Sequence, residues 1–225
     1  DVARFATPDL GIINGNYVSL FAPLVSFAMI PGYIIGSQYE LSQVGSFAAI
    51  SLFAVFNALL IRAIATRLGA KSYAATLGGI VFLFASPAFA YAVSLYQHHI
   101  STFLILLSLY ILFKWKGIVP LFFVWFLFAM SIPVDYPNVI LMLPIAIYAT
   151  FRAIWFENKD ENITLNFKFL SVLTPITILI PMSFYIWFSN ASYNKPFQLS
   201  GTVQSVKAID AQGKPYDPLL ESEKK

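Results

Sequence analysis

The chain has 225 residues, 58% of them hydrophobic and only 11% charged, with no cysteine and a net charge of +3. Soluble domains carry about 25% charged and about 45–50% apolar residues, so the composition argues against an ordinary soluble domain. The missing cysteines exclude disulfides, zinc–thiolate centres and thiol nucleophiles.

In chain order, the sequence opens on DVARFATPDLGIINGNYVSLFAPLVSFAMIP, which mixes Asp1, Asp9 and Arg4 with an Asn14–Gly15 turn. The stretch Tyr17–Gly36 is apolar but carries Pro23, Pro31 and two glycines. These breakers predict an interfacial or re-entrant helical segment rather than a full crossing. Six apolar runs follow, at 44–61, 73–95, 97–113, 118–134, 136–155 and 169–188. Each comes near the roughly 17–25 residues that a spanning helix needs, some only with their interfacial ends included. The expected fold class is therefore all-α: a polytopic transmembrane helical bundle. Residues 1–43 form an outer loop with the interfacial helix, 44–188 the six-helix transmembrane region, and 189–225 a polar tail or loop. The first methionine is Met29 and no signal peptide is visible, so we read the chain as a fragment lacking at least one upstream helix.

The basic residues orient these spans. Loops 62–72, 114–117 and 152–168 hold Arg62, Arg67, Lys71, Lys114, Lys116, Arg152, Lys159 and Lys168, eight of the fourteen Lys and Arg residues. Positive charge in short loops marks the cytoplasmic side, and residues that flank apolar runs do not form a nucleic-acid stripe. No nucleic-acid partner is expected; membrane lipids are. The N-terminal segment and the C-terminal tail then lie outside the cytoplasm. Asp1, Asp9, Glu40, His98, His99 and Asp135 share that outer side. Of the sequons at Asn162 and Asn190, only Asn190 is on the side where glycans are added.

Two short motifs stand out. In IPVDYPN (132–138), Asp135 is a lone carboxylate between Pro133 and Pro137. It suits a helix cap, and equally a contact with a sugar hydroxyl, a cation or a lipid-linked phosphate at the mouth of a chamber. In YQHHIS (96–101) stand the only two histidines. Adjacent helical positions point about 100° apart, so His98 and His99 do not clasp one ion from one face. Either they form a polar interfacial cap, or one faces a phosphate or sugar hydroxyl, with His98 narrowly favoured. None of the soluble-enzyme templates (a Gly-rich phosphate loop after a strand, a Gly-x-Ser-x-Gly elbow) is present.

The segments GNYVSLFAPLVSFAMIPGYIIG (15–36), SPAFAYAVSLYQHHIS (86–101), VDYPN (134–138) and SYNKPFQLSG (192–201) occur in this order. Together they resemble polytopic GT-C-fold glycosyltransferases, particularly those similar to dolichyl-phosphate-mannose–protein mannosyltransferases. The resemblance implies transfer of a sugar from a polyprenyl- or dolichyl-phosphate carrier to an extracytoplasmic acceptor. It implies Asp1 as general base or metal-coordinating carboxylate, Asp9 as the fallback, and with them a divalent cation as a cofactor. The paired carboxylates common in that family are absent, because Val2 follows Asp1. On the same outer face, Arg4, His98, His99 and Asp135 are the candidates for holding the lipid-linked donor. Two other classes fit the composition: a transporter or lipid flippase, and a noncatalytic membrane subunit.

Overall fold

The computed structural model describes residues 10–13, 16–159, 162–167, 169–203, 208–209 and 215–216. Helices dominate them, accompanied by three two-stranded antiparallel hairpins. The chain divides into two units, residues 24–182 and residues 1–23 with 183–225.

The larger unit begins with a helical pair, α1 (Leu24–Ser37) and α2 (Ser42–Arg67). Three glycines bring the two backbones together. A Cβ built on Gly32 would meet the Gly45 carbonyl and the Ala49 Cβ, the latter at 3.2 Å. One on Gly45 would meet the Gly32 carbonyl and, at 3.1 Å, the Gly36 Cα. Small residues allow such backbone approach where dispersion is the main attraction between apolar helices. The expectation that prolines and glycines break Tyr17–Gly36 is therefore corrected. Pro23 precedes α1, while Pro31, Gly32 and Gly36 lie within a continuous helix.

Helix α2 is longer than the 44–61 run, and Arg62 and Arg67 belong to it rather than to a loop. It stops where Gly69 takes φ +96°, the left-handed conformation that commonly follows a helix C-terminus. Helix α3 (Ser72–Phe84) returns along α2, with Gly79 so close that a Cβ there would stand 2.6 Å from the Ala58 carbonyl. The single helix expected over 73–95 is overturned. α3 ends at Phe84, and a short helix α4 (Ala88–Ala92) starts after Pro87.

Helices α5 (His98–Lys114), α6 (Ile118–Ser131) and α7 (Asn138–Ala153) follow. α5 is central, packing on α2, α6 and α7. Its first-half and second-half residues meet successive levels of α2: Phe103 packs on Phe53 and Phe56, and Tyr110 lies near Leu60 and Ala63. α5 thus runs alongside α2 in the same direction, from its middle to its Arg67 end. Ile50, Leu104, Leu121, Val124, Val134 and Met142 form the buried core. At the far end the Arg152 guanidinium donates to the Leu112 and Trp115 carbonyls, satisfying backbone groups that the α5 C-terminus leaves open. Within the stretch 152–168, expected to be a charged loop, β3 (Ile154–Lys159) and β4 (Asn162–Phe167) instead pair antiparallel, Ile154 with Phe167 and Lys159 with Asn162. Then come α8 (Phe169–Val172), a 3-10 turn (Thr174–Ile178) anchored by Thr177 Oγ1 donating to the Phe122 carbonyl, and α9 (Leu179–Tyr193).

In the smaller unit, strands β1 (Leu10–Ile13) and β2 (Asn16–Ser19) pair antiparallel. The end of α9 is tied to its surroundings by Tyr193 Oη donating to the Ser19 carbonyl at 3.0 Å and Tyr185 Oη donating to the Gln198 carbonyl at 3.0 Å. A further hairpin joins β5 (Ala208–Ile209) and β6 (Pro215–Tyr216).

Among the described residues two helical stretches, Ser42–Arg67 and Leu170–Tyr193, are long and apolar enough to cross a membrane. Helices α3, α5, α6 and α7 have 13 to 17 residues, and α3, α6 and α7 are shorter than the runs that predicted them. The chain is broken between them at 85–97 and 132–137, so part of each expected span is turn.

Candidate functional site

The breaks converge on one level of α2. Counting about 1.5 Å of rise per residue, Asn57 stands about 22 Å from the Ser42 end of α2 and about 15 Å from the Arg67 end. Against it lies the start of α5. YQHHIS is therefore at a helix start, as its sequence suggests, but that start is level with the middle of the longest helix.

Each polar residue of this seam has a different partner. His99 is 3% exposed and Asn57 fully buried. Asn57 Nδ2 donates to the His99 carbonyl at 2.9 Å and approaches His99 Nδ1 at 3.3 Å. His99 Nε2 lies 2.8 Å from the Ala88 carbonyl. A carbonyl only accepts, so Nε2 carries the proton and Nδ1 receives the Asn57 amide, the arrangement of a neutral imidazole. The ring also sits edge-on to Phe82, 6.3 Å between centroids. Nearby, Ser51 Oγ donates to the Ala92 carbonyl at 2.7 Å. Side chains of α2 and α5 thus supply donors to the carbonyls of α4, where the chain has left regular helix. Irregular backbone in an apolar setting needs such partners. Asn57 Oδ1 is the exception, buried without a hydrogen-bond partner among the described residues.

His98 turns the other way and is exposed. Its ring packs edge-on to Tyr91 at 4.6 Å and stacks on Tyr96 at 5.8 Å. Beside it, Gln97 Nε2 donates to Asp135 Oδ2 at 3.3 Å, joining YQHHIS to the VDYPN turn. The two motifs that stand out in the sequence, 38 residues apart at this bond, are neighbours. A buried bond reinforces the junction: Asn138 Nδ2 donates to Ser101 Oγ at 2.8 Å and to the Ser131 carbonyl at 3.0 Å. Replacing Asn138 by Leu strands the buried Ser101 hydroxyl, at a cost of about 1–3 kcal/mol, and leaves the Ser131 carbonyl with only the Asp135 N–H as donor. We expect N138L to lower the unfolding midpoint clearly in mild detergent, and S101A to lower it less, because the Ser131 bond survives.

Of the residues proposed for the site, His98, His99 and Asp135 are thus brought together, with Gln97, Tyr91 and Tyr96 completing the patch. Both ring nitrogens of His99 face protein partners, whereas the His98 ring is open to its surroundings. Asp1, Arg4 and Asp9 lie outside the described residues. Sequence reasoning gives no role to Ser51, Gln97, Ser101 or Asn138. Their signal is present: each is an uncharged hydrogen-bonding residue isolated in or beside an apolar run.

The described residues do not fit a divalent cation. No three His, Asp or Glu side chains among them come together, and the Asp135 carboxylate receives an amide N–H, a donor and not a co-ligand. No family model, curated protein or solved structure matches the chain.

Proposed function

We propose that the chain acts as, or as part of, an integral membrane glycosyltransferase that moves a sugar from a polyprenyl- or dolichyl-phosphate carrier to an extracytoplasmic acceptor. The observation that carries this reading is a polar and aromatic patch, Tyr91, Tyr96, Gln97, His98 and Asp135, set among exposed apolar helix faces. The faces of α2 (Leu52, Val55, Leu59), α3 (Leu77, Ile80, Phe84) and α7 (Ile140, Leu141, Ile147) are exposed. Only 17% of the most apolar 18-residue window of α2 is buried. A core helix of a soluble protein of that composition is covered by its neighbours; one in lipid is not.

In this reading six segments cross, the shorter helices completing their passage with their seam and turn residues, and the N-terminal segment and tail are extracytoplasmic. Aromatic faces pack on the apolar face of a sugar ring, while Asp135 and Gln97 meet its hydroxyls. A histidine next to the carrier phosphate steadies the charge that develops as the phosphate departs. Carboxylate deprotonation of the acceptor falls to Asp1, with Asp9 as fallback.

The test is transfer from a polyprenyl-phosphate sugar by the purified protein in lipid. We expect H98A and D135N each to reduce the rate at least about tenfold, within the range for single positioned polar groups, and H98A to raise the KM for the donor. Undiminished transfer in both variants would overturn the assignment of this patch. A second reading, a transporter or flippase, is favoured by one observation: the His99–Asn57 pair lies near the middle of α2, where a membrane path would pass. Substrate uptake into proteoliposomes without sugar transfer would establish it instead.

A further inference from the structure

At the opposite end of α5 from the seam is an apolar cavity of about 510 Å³. Leu107 and Ile111 of α5 and Val119, Pro120 and Phe123 of α6 form its walls, and Trp115 and Lys116 from the intervening turn complete its lining. Lys114 is adjacent, its Nζ 4.4 Å from the centre of the Trp115 ring and 5.1 Å from that of Tyr110. Lys116 therefore lines an apolar groove and Lys114 stands beside it on the Trp115 ring, with no acidic side chain lining it among the described residues. Arg152, whose guanidinium donates to the Leu112 and Trp115 carbonyls, adds a third cation to the same turn.

We infer that this groove binds an anionic phospholipid, one acyl chain lying on the Ile111–Phe123 wall and the phosphate between Lys114 and Lys116. The inference rests on the membrane reading proposed above, but not on sugar transfer. Charge complementarity selects the occupant. A soluble apolar ligand uses the wall and leaves the two ammonium groups idle. A free phosphate uses the ammonium groups and leaves the wall bare. A phospholipid with net negative charge uses both, and Trp115 with Tyr110 is the aromatic pair expected where a helix end meets headgroups. The helix end is the one that gathers Arg67, Lys114 and Arg152, the basic side on which anionic lipids attract cations.

The experiment uses Trp115 as the reporter. Trp125, Trp155 and Trp187 are replaced by Phe in the full chain, and the protein is placed in bilayers holding brominated phosphatidylglycerol or brominated phosphatidylcholine. Each basic residue near an anionic surface favours binding about fivefold. We therefore expect the brominated anionic lipid to quench Trp115 at a mole fraction at least about fivefold lower than the zwitterionic one. K116Q is expected to lose most of that preference, and K114Q/K116Q all of it. Equal quenching by the two lipids overturns the anionic site while leaving the membrane reading intact. No quenching by either overturns the membrane reading at this helix end, and the site with it. Preferential displacement of the brominated lipid by a polyprenyl phosphate reassigns the groove to the carrier and overturns the phospholipid.

Discussion

Replacing His99 by Leu is expected to destabilise the protein by about 1–3 kcal/mol, because the half-buried Ala88 carbonyl loses its donor and the buried Asn57 amide keeps only the His99 backbone carbonyl as acceptor. The Ala88 carbonyl loses the Nε2 proton, and the Asn57 amide loses the Nδ1 acceptor. Leu restores apolar volume, so the cost reports on the hydrogen bonds more than on a cavity. Hydrogen bonds between helices in lipid average nearer 0.6 kcal/mol when measured pairwise, so two such bonds put the effect near about 1 kcal/mol, the bottom of the range, for a fully membrane-embedded seam. The check is equilibrium unfolding in mild detergent of H99L, N57L and the double variant. Because each single change strands what the other removes, the double should cost less than the sum of the singles. Strict additivity would show that the two side chains are not coupled and that their hydrogen bond does not hold the seam. H98A is the control: its ring is exposed, and its loss should change stability little.

The second large effect is at the α1–α2 contact. Gly45→Leu places a branched side chain where even a Cβ overlaps the Gly32 carbonyl. Overpacking usually costs about 1–3 kcal/mol, but the obstacle here is backbone, which cannot rotate aside. We expect a cost at or above the top of that range, about 3 kcal/mol or more, with α1 displaced from α2. Gly45→Ala is the sharper comparison, since alanine gains up to about 1 kcal/mol of helix propensity over glycine. At position 45 the clash should outweigh that gain. At Gly78, where the only atom near a built Cβ is Ile61 Cγ2 at 4.0 Å, the gain should prevail. G45A lowering the unfolding midpoint and G78A raising it would confirm that close backbone approach, not flexibility, explains glycine at 45. Equal effects of the same sign would remove that explanation.

These two sites also show how legible the fold is in the chain. The apolar runs account for the helices, since run length and composition are local properties: α6 and α7 fall within the expected segments, and α5 matches its segment to within one residue at each end. Proline and glycine mislead in both directions. Pro31 and Gly32 have the character of breakers and lie inside α1, whereas the longer run 73–95 is interrupted after Phe84. The difference is non-local. Gly32 is kept helical by Gly45 across the helix pair, and the break before α4 is made tolerable by donors from Ser51 and His99.

The sequence by itself determined an apolar, cysteine-free, helix-rich chain with its basic residues gathered at particular helix ends, because composition and hydrophobic run length need no partner to be read. It also marked YQHHIS and VDYPN as the places where polar groups concentrate. Only the tertiary structure decided that Gln97 and Asp135 bring those motifs together, and that His99 closes the α4 break while its neighbour His98 stays open beside Tyr91. It also decided that the seam stands level with the middle of α2. Those outcomes depend on how far one helix is shifted along another. That register is set by close contacts such as Gly45 on Gly32 and Gly79 on Ala58, between residues that are distant in the chain.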